Sequence, residues 1–389
     1  MIRFKLLGSL AVLLLSLGSA RAAQEVDGPK VLAAQASLAV GLIEHSIESA
    51  NSANITVSPA TLAAALALAS LGATEQGKAA IDQCLGFSGA LQGTEDILTA
   101  ITTKTSAADP SLRAAVTIVF DSKLALLPGA AGILSSHRVH PAIADLDSPA
   151  AVKMINNWVK ETTRGAIPTI LDAPPTGGGF VSLGALAFKK QWKTAFELDG
   201  SPASFKRPDG SSVSVPTMHL ADSEQKFRVD DRFAAVDLAY EGDVYRMVII
   251  ADRAGNGIVP GDLKALGSWL TGQDFQTGKG EVKLPKFSSN EGRDLMPVLN
   301  AMGLAPEGGF PGFTKDSVKF ARIVQKTMIK VDENGTEAAS ATAAIAERSA
   351  DLDATHVIAD ARFLFALRDT KTGLLLAAGL IGDPQFADE

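Results

Sequence analysis

Residues 329–349, IKVDENGTEAASATAAIAERS, constrain this chain more than any other stretch. Ile329 and Val331 alternate with polar residues as a half-buried strand does. Gly335 then permits a bend, and Thr336 to Ala343 carry almost no side-chain bulk. A run of small Thr, Ala and Ser residues buries too little apolar area to be a packed core. Two conformations suit it. One is an Ala-rich helix, because Ala, Glu and Arg are good helix formers. The other is an extended segment that exchanges its backbone partners at little cost.

The stretch Glu333, Asn334, Gly335, Thr336, Glu337, Ala338, Ala339, Ser340, Ala341, Thr342 resembles the hinge of the reactive-centre loop in the serpin family of serine protease inhibitors. A loop that enters a closed sheet as a new strand must place every second residue against a core. Thr336, Ala338, Ser340 and Thr342 form that inward set, and the single charge, Glu337, falls on the outward one.

Other stretches similar to the family follow in family order over roughly residues 30 to 384. Asn54 to Pro59, the apolar run Leu62 to Leu71 and Gly72 are similar to a buried strand and helix beneath the main sheet. Asn157, Trp158, Val159, Thr163, Gly165 and Ile167 resemble a helix end. Ala185 to Lys189, Trp192 and Phe196 resemble the central strand and the tryptophan under the insertion point. Val215 to Met218, Leu238, Tyr240, Gly242, Met247 to Ile250 and Leu284 to Phe287 fit further strands. Phe363 to Phe365, with Thr372, Gly373 and Gly379, fit the closing hairpin.

The resemblance implies an α+β fold, about eight or nine helices around three mainly antiparallel β-sheets, with an exposed reactive-centre loop at about 333–355. It implies a sheet gate at Ser58, Thr61, Gly184, Trp192 and Gln325. The family carries an Asn in the central strand and a His before the hinge, hydrogen-bonded to each other. Gly184 and Gln325 stand there instead, and losing both partners strands neither. Arg362 replaces the family's Pro before the closing Phe.

The implied mechanism is suicide inhibition. A serine protease attacks the loop, forms an acyl-enzyme, and is trapped covalently as the cut loop inserts into the sheet. Counting from the hinge glycine gives Ser349–Ala350 as the reactive bond. Arg348–Ser349, one residue earlier, offers a guanidinium to an acidic protease pocket and is the better bait. The implied partner is a trypsin-like serine protease bound by a monomer, with no cofactor, metal, membrane or nucleic acid. A non-inhibitory binding protein of the same fold is the alternative.

Met1 to Ala22 reads as a signal peptide: Arg3 and Lys5, an apolar stretch Leu6 to Leu17, and Ala20-Arg21-Ala22 for cleavage. The stretch is shorter than the ~20 residues that span a bilayer. Residues 23–389 then form a single domain, secreted or periplasmic. Removing Arg3, Lys5, Arg21 and no acid takes the formal net charge from −7 to −10, which argues against polyanionic partners. Cys84 is the only cysteine, so no intrachain disulfide forms, and its IDQCLGF setting reads as a structural thiol at a helix end. Asn54 and Asn334 each begin an Asn-x-Thr tripeptide. A glycan on Asn334 would obstruct the hinge, which favours a bacterial setting.

Catalytic constellations are mostly missing. His45, His137, His140, His219 and His356 form no HExxH pattern and have no Cys partner, and Gly-x-Ser-x-Gly does not occur. The motifs of a penicillin-recognising serine enzyme do occur in order, with Ser223 and Lys226, then Ser288 and Asn290, then Lys371 in Lys-Thr-Gly. That mechanism needs Ser223 at a helix start, whereas the residues after it alternate like a strand.

Overall fold

The computed structural model describes residues 28–50, 53–86, 110–137, 139–304, 309–318, 320–336 and 355–386. Seven α-helices lie among them: α1 Gly28–Ala50, α2 Pro59–Ser70, α3 Glu75–Cys84, α4 Ala130–Ser136, α5 Pro149–Thr162, α6 Leu263–Leu266 and α7 Met296–Ala301. The first eight strands are β1 Asn54–Val57, β2 Leu112–Asp121, β3 Ala142–Ala144, β4 Phe180–Phe188, β5 Lys190–Gln191, β6 Glu197–Leu198, β7 Ala203–Lys206 and β8 Ser212–Val215. Then come β9 Thr217–Val229, β10 Phe233–Ala239, β11 Tyr245–Asp252, β12 Gln276–Pro285 and β13 Phe287–Asp294. The last are β14 Phe320–Val331, β15 Gly335–Thr336, β16 Thr355–Ile358, β17 Phe363–Asp369 and β18 Leu374–Ile381.

They form three sheets, as expected for the α+β reading. One has nine strands in the order β1-β18-β17-β11-β10-β9-β12-β16 with β6 on β9. A second has seven, β3-β2-β4-β14-β15-β5 with β13 on β14, and β7-β8 is a separate pair. Pairing is mainly antiparallel, with parallel exceptions at β2–β3, β12–β16 and β4–β14.

The seven-stranded sheet is covered on both faces, and its alternation shows how. Phe180, Leu186 and Phe188 of β4 join the main core, while Val181, Leu183, Ala185 and Ala187 join a second cluster with Ile155 and Val159 of α5. A strand buried on both sides reads as a continuous apolar run, as FVSLGALAF does. On the main-core side, α2 is buried at all twelve positions. Ser58 caps it, accepting from the Thr61 amide at 3.3 Å, and Pro59 opens its first turn. Its alanines let it lie close to β4, where the Ser182 hydroxyl donates to Ala65 O at 3.0 Å.

At the end of α5 the structure corrects one reading. Asn156, not Asn157, is the anchoring asparagine. Its Oδ1 accepts from the amides of Ile170 (2.8 Å) and Leu171 (3.0 Å), and its Nδ2 donates to Leu171 O (2.8 Å). Thr163 closes the helix by donating to Val159 O (2.7 Å) and accepting from the Ile167 amide (3.0 Å). Among the described residues, no helix is long and apolar enough to cross a membrane.

Cys84 is the last residue of α3, half-buried against the main core, and burial pushes its thiol up to about 11. Because desolvation disfavours the thiolate, native protein at pH 8 is expected to react with a thiol reagent at least tenfold more slowly than urea-unfolded protein. Equal rates in a colorimetric thiol assay would contradict the packing of α3.

Candidate functional site

The expected hinge begins where β14 ends. Asp332 Oδ1 accepts from the amides of Asn334 (2.9 Å) and Gly335 (3.1 Å), and the Asp332 amide donates to Gly335 O at 2.8 Å. This side-chain-to-backbone turn is what Asp does well. It brings Gly335 so near the neighbouring chain that a Cβ there would overlap the Lys190 carbonyl oxygen. Thr336 then pairs antiparallel with Val331 on one side and with Lys190 on the other.

The side chain of Thr336 is fully buried, and its hydroxyl lies 2.7 Å from the Tyr240 hydroxyl. Tyr240 stacks on Trp192 at 4.2 Å between ring centres with 17° between the planes, and meets Phe188 edge-on at 5.0 Å. Trp192 in turn holds the turn itself. Its indole N–H donates to Asp332 O and its amide to Asn334 O, both at 2.9 Å. The Phe196 amide donates to Glu333 O at 2.8 Å, and the Glu333 carboxylate pairs with Lys286 at 3.0 Å. Burial drives the Tyr240 phenol well above its ordinary range and raises the Asp332 carboxyl, so this pocket favours neutral groups.

The expected gate divides into two places. Ser58, Thr61, Gly184 and Gln325 meet in the middle of the sheet, while Trp192 belongs to the hinge. Gln325 lies opposite Gly184 in the parallel β4–β14 ladder. Its buried side chain donates to Ser58 O (2.7 Å) and Thr61 Oγ1 (3.1 Å) and accepts from the Ser58 amide (2.8 Å). A Cβ on Gly184 would stand 3.2 Å from Thr61. Glycine therefore gives Thr61 its room. With the Asn–His pair replaced by Gly184 and Gln325, the gate is altered: Gln325 makes three bonds, all to the start of α2.

Glu337, Ala338, Ala339, Ser340, Ala341, Thr342, Arg348, Ser349 and Ala350 lie outside the described residues, as do residues 1–22. The penicillin-type constellation is not assembled. Ser223 and Lys226 are mid-strand on β9 of the nine-stranded sheet, and Ser288 and Asn290 are on β13 of the other. Lys371 sits in the turn between β17 and β18. Ser223 therefore has no helix start, and Ser288 and Asn290 lie in a different sheet from it. Arg362 has a role the sequence did not disclose, donating from Nε to Ile258 O at 2.6 Å while the Ile258 amide donates to Arg362 O at 2.8 Å. Asp332 and Lys286 were also missed at the hinge. The one available signal was an Asp two residues before Asn-Gly, a turn pattern.

Gln325→Ala would leave the Ser58 amide in the core with no partner. That costs about 1–3 kcal/mol, and the vacated volume adds to it. The thermal unfolding midpoint is expected to fall by several degrees, and an unchanged midpoint would show that the amide holds nothing.

The family model described as serpin (serine protease inhibitor) matches residues 33–384. An uncharacterized serpin-like protein of Thermococcus kodakarensis is 32% identical over 60% of this chain and 57% of its own length. The leukocyte elastase inhibitor of Bos taurus is 29% identical over 90% of this chain and 99% of its own. The crystal structure of the thermophilic serpin tengpin in its native state aligns with a TM-score of 0.79 at 22% identity, covering 91% of this chain and 94% of that one. With a match that spans most of its length and the same fold, this chain belongs to the serpin family.

Proposed function

We propose that this protein inhibits a trypsin-like serine protease as a suicide substrate, acting after export directed by Met1 to Ala22. The observation that carries this reading is the seating of Gly335 and Thr336. They already form the first residues of a strand antiparallel to both β14 and β5. Continued in the same direction, that strand would run between β4 and β14, which are hydrogen-bonded directly and in parallel from Phe180 and Phe320 to Ala187 and Met328.

Insertion would replace one parallel ladder with two antiparallel ones, which are somewhat more stable per residue. If about ten new ladder bonds contribute ~1 kcal/mol each, the gain is on the order of 10 kcal/mol before side-chain burial. Thirteen residues from Thr336 to Arg348 would extend about 43 Å as a strand. The chemistry runs as ordinary acyl transfer. The protease serine attacks the Arg348 carbonyl, the Ser349 amine leaves, and the ester remains on Arg348. Insertion then carries that ester and the attached enzyme away from the geometry needed for deacylation. The leukocyte elastase inhibitor is named as an inhibitor of a protease, which supports the class of activity but not the trypsin-like preference.

On denaturing electrophoresis after mixing with trypsin, a covalent complex is expected, and mass spectrometry should show a released C-terminal fragment beginning at Ser349. A fragment beginning at Ala350 would move the reactive bond by one residue, and cleavage with no complex would remove the inhibitor reading. Thr336→Arg places a charge in the fully buried Tyr240 pocket and should turn the inhibitor into a plain substrate. Unchanged inhibition by that variant would show that the hinge takes no part.

A further inference from the structure

Asp121, the last residue of β2, is 1% exposed, yet its Oδ2 has no hydrogen-bond partner. Its Oδ1 accepts from the Lys123 amide at 2.9 Å. A buried carboxylate oxygen without a partner is costly, so its surroundings matter. The parallel register sets Asp121 opposite Ala144, the last residue of β3. The chain leaving β3 therefore passes directly over it, carrying Asp145 and Asp147. Leu146 between them is fully buried and pins that loop. One carboxylate oxygen from each of Asp121, Asp145 and Asp147 lies within 4.8 Å of the other two.

Lys123 partly offsets this charge. Its ammonium stands 3.1 Å from Asp145 Oδ1 and 2.5 Å from Asp147 Oδ2, on a side chain that is 60% exposed. It neutralises one of three negative charges and leaves the buried oxygen unanswered.

We propose that Asp121, Asp145 and Asp147 bind a hard divalent cation, calcium, with the Lys123 ammonium as its displaceable stand-in. With the ammonium displaced, three carboxylates face the site, and a divalent ion cancels two of their charges where the ammonium cancels one. Donors that are oxygen throughout select calcium or magnesium over softer metals. Magnesium demands a near-ideal octahedron and dehydrates reluctantly, whereas calcium accepts irregular oxygen sets, so one strand carboxylate and two loop carboxylates suit calcium. Water would complete the shell, which places the dissociation constant at about 10⁻⁴–10⁻³ M. The ion would tie the ends of β2 and β3 to the approach of α5, whose cap Ser148 follows Asp147 directly.

The test is calorimetric titration of the chelator-treated full chain with calcium chloride, and separately with magnesium chloride. Calcium is expected to bind at one site, more tightly than magnesium, and to raise the thermal midpoint. Asp121→Asn and Asp147→Asn should each weaken binding at least tenfold and abolish the thermal shift, whereas Lys123→Met should tighten it severalfold. Because Asp147 is on the surface, its variant remains informative if the Asp121 variant does not fold. No heat with calcium in the parent, equal binding by the Asp147 variant, weaker binding by the Lys123 variant, or a preference for magnesium would each overturn the proposal.

Discussion

Two parallel strands, β4 and β14, lie hydrogen-bonded in the middle of a sheet buried on both faces. Much of the molecule is arranged around that pair. Parallel neighbours cannot be joined by a tight turn, and the chain between them makes a long excursion that supplies five strands of the nine-stranded sheet. Both faces need cover: α2, rich in alanine, lies against one, and Ile155 and Val159 of α5 join the apolar cluster on the other. The hinge leaves β14 at the end of this ladder and doubles back beside it.

The gate shows how one requirement can be met by different residues. Holding the centre of the sheet to α2 needs a polar side chain that reaches the backbone and hydroxyl groups at the start of that helix. Here it comes from β14 as Gln325, and β4 contributes only space through Gly184. A glutamine is long enough to bond backbone and hydroxyl together, and in an enclosed site each such bond is worth more than at the surface. At the hinge the fastening is mixed: aromatic stacking of Trp192 on Tyr240, two donations from Trp192 to backbone carbonyls, and one hydroxyl pair at Thr336. Such a fastening seats Gly335 and Thr336 between β14 and β5.

The α+β class, the buried helix α2 and the central strand β4 were legible through the resemblance of their stretches, and the bend at Gly335 through the residue itself. The apolar run Leu62 to Leu71 and a glycine after a strand are local patterns. The asparagine under α5 was misassigned by one position because two asparagines stand side by side, and only the packing of residues 170–171 distinguishes them. Tyr240 was legible as a strand residue but not as the partner of Thr336, from which it is separated by 96 positions.

The sequence alone determined that Leu62 to Leu71 is a continuous apolar run and that Thr336 to Ala343 carry almost no side-chain bulk, because these follow from side-chain size and spacing within a few residues. Only the tertiary structure decided that Gln325 bonds Ser58, that Thr336 lies against Tyr240, and that Asp121 shares its site with Asp145 and Asp147. Those pairings are set by strand register and layer packing between segments far apart in the chain, and no local pattern encodes which distant group a side chain will meet.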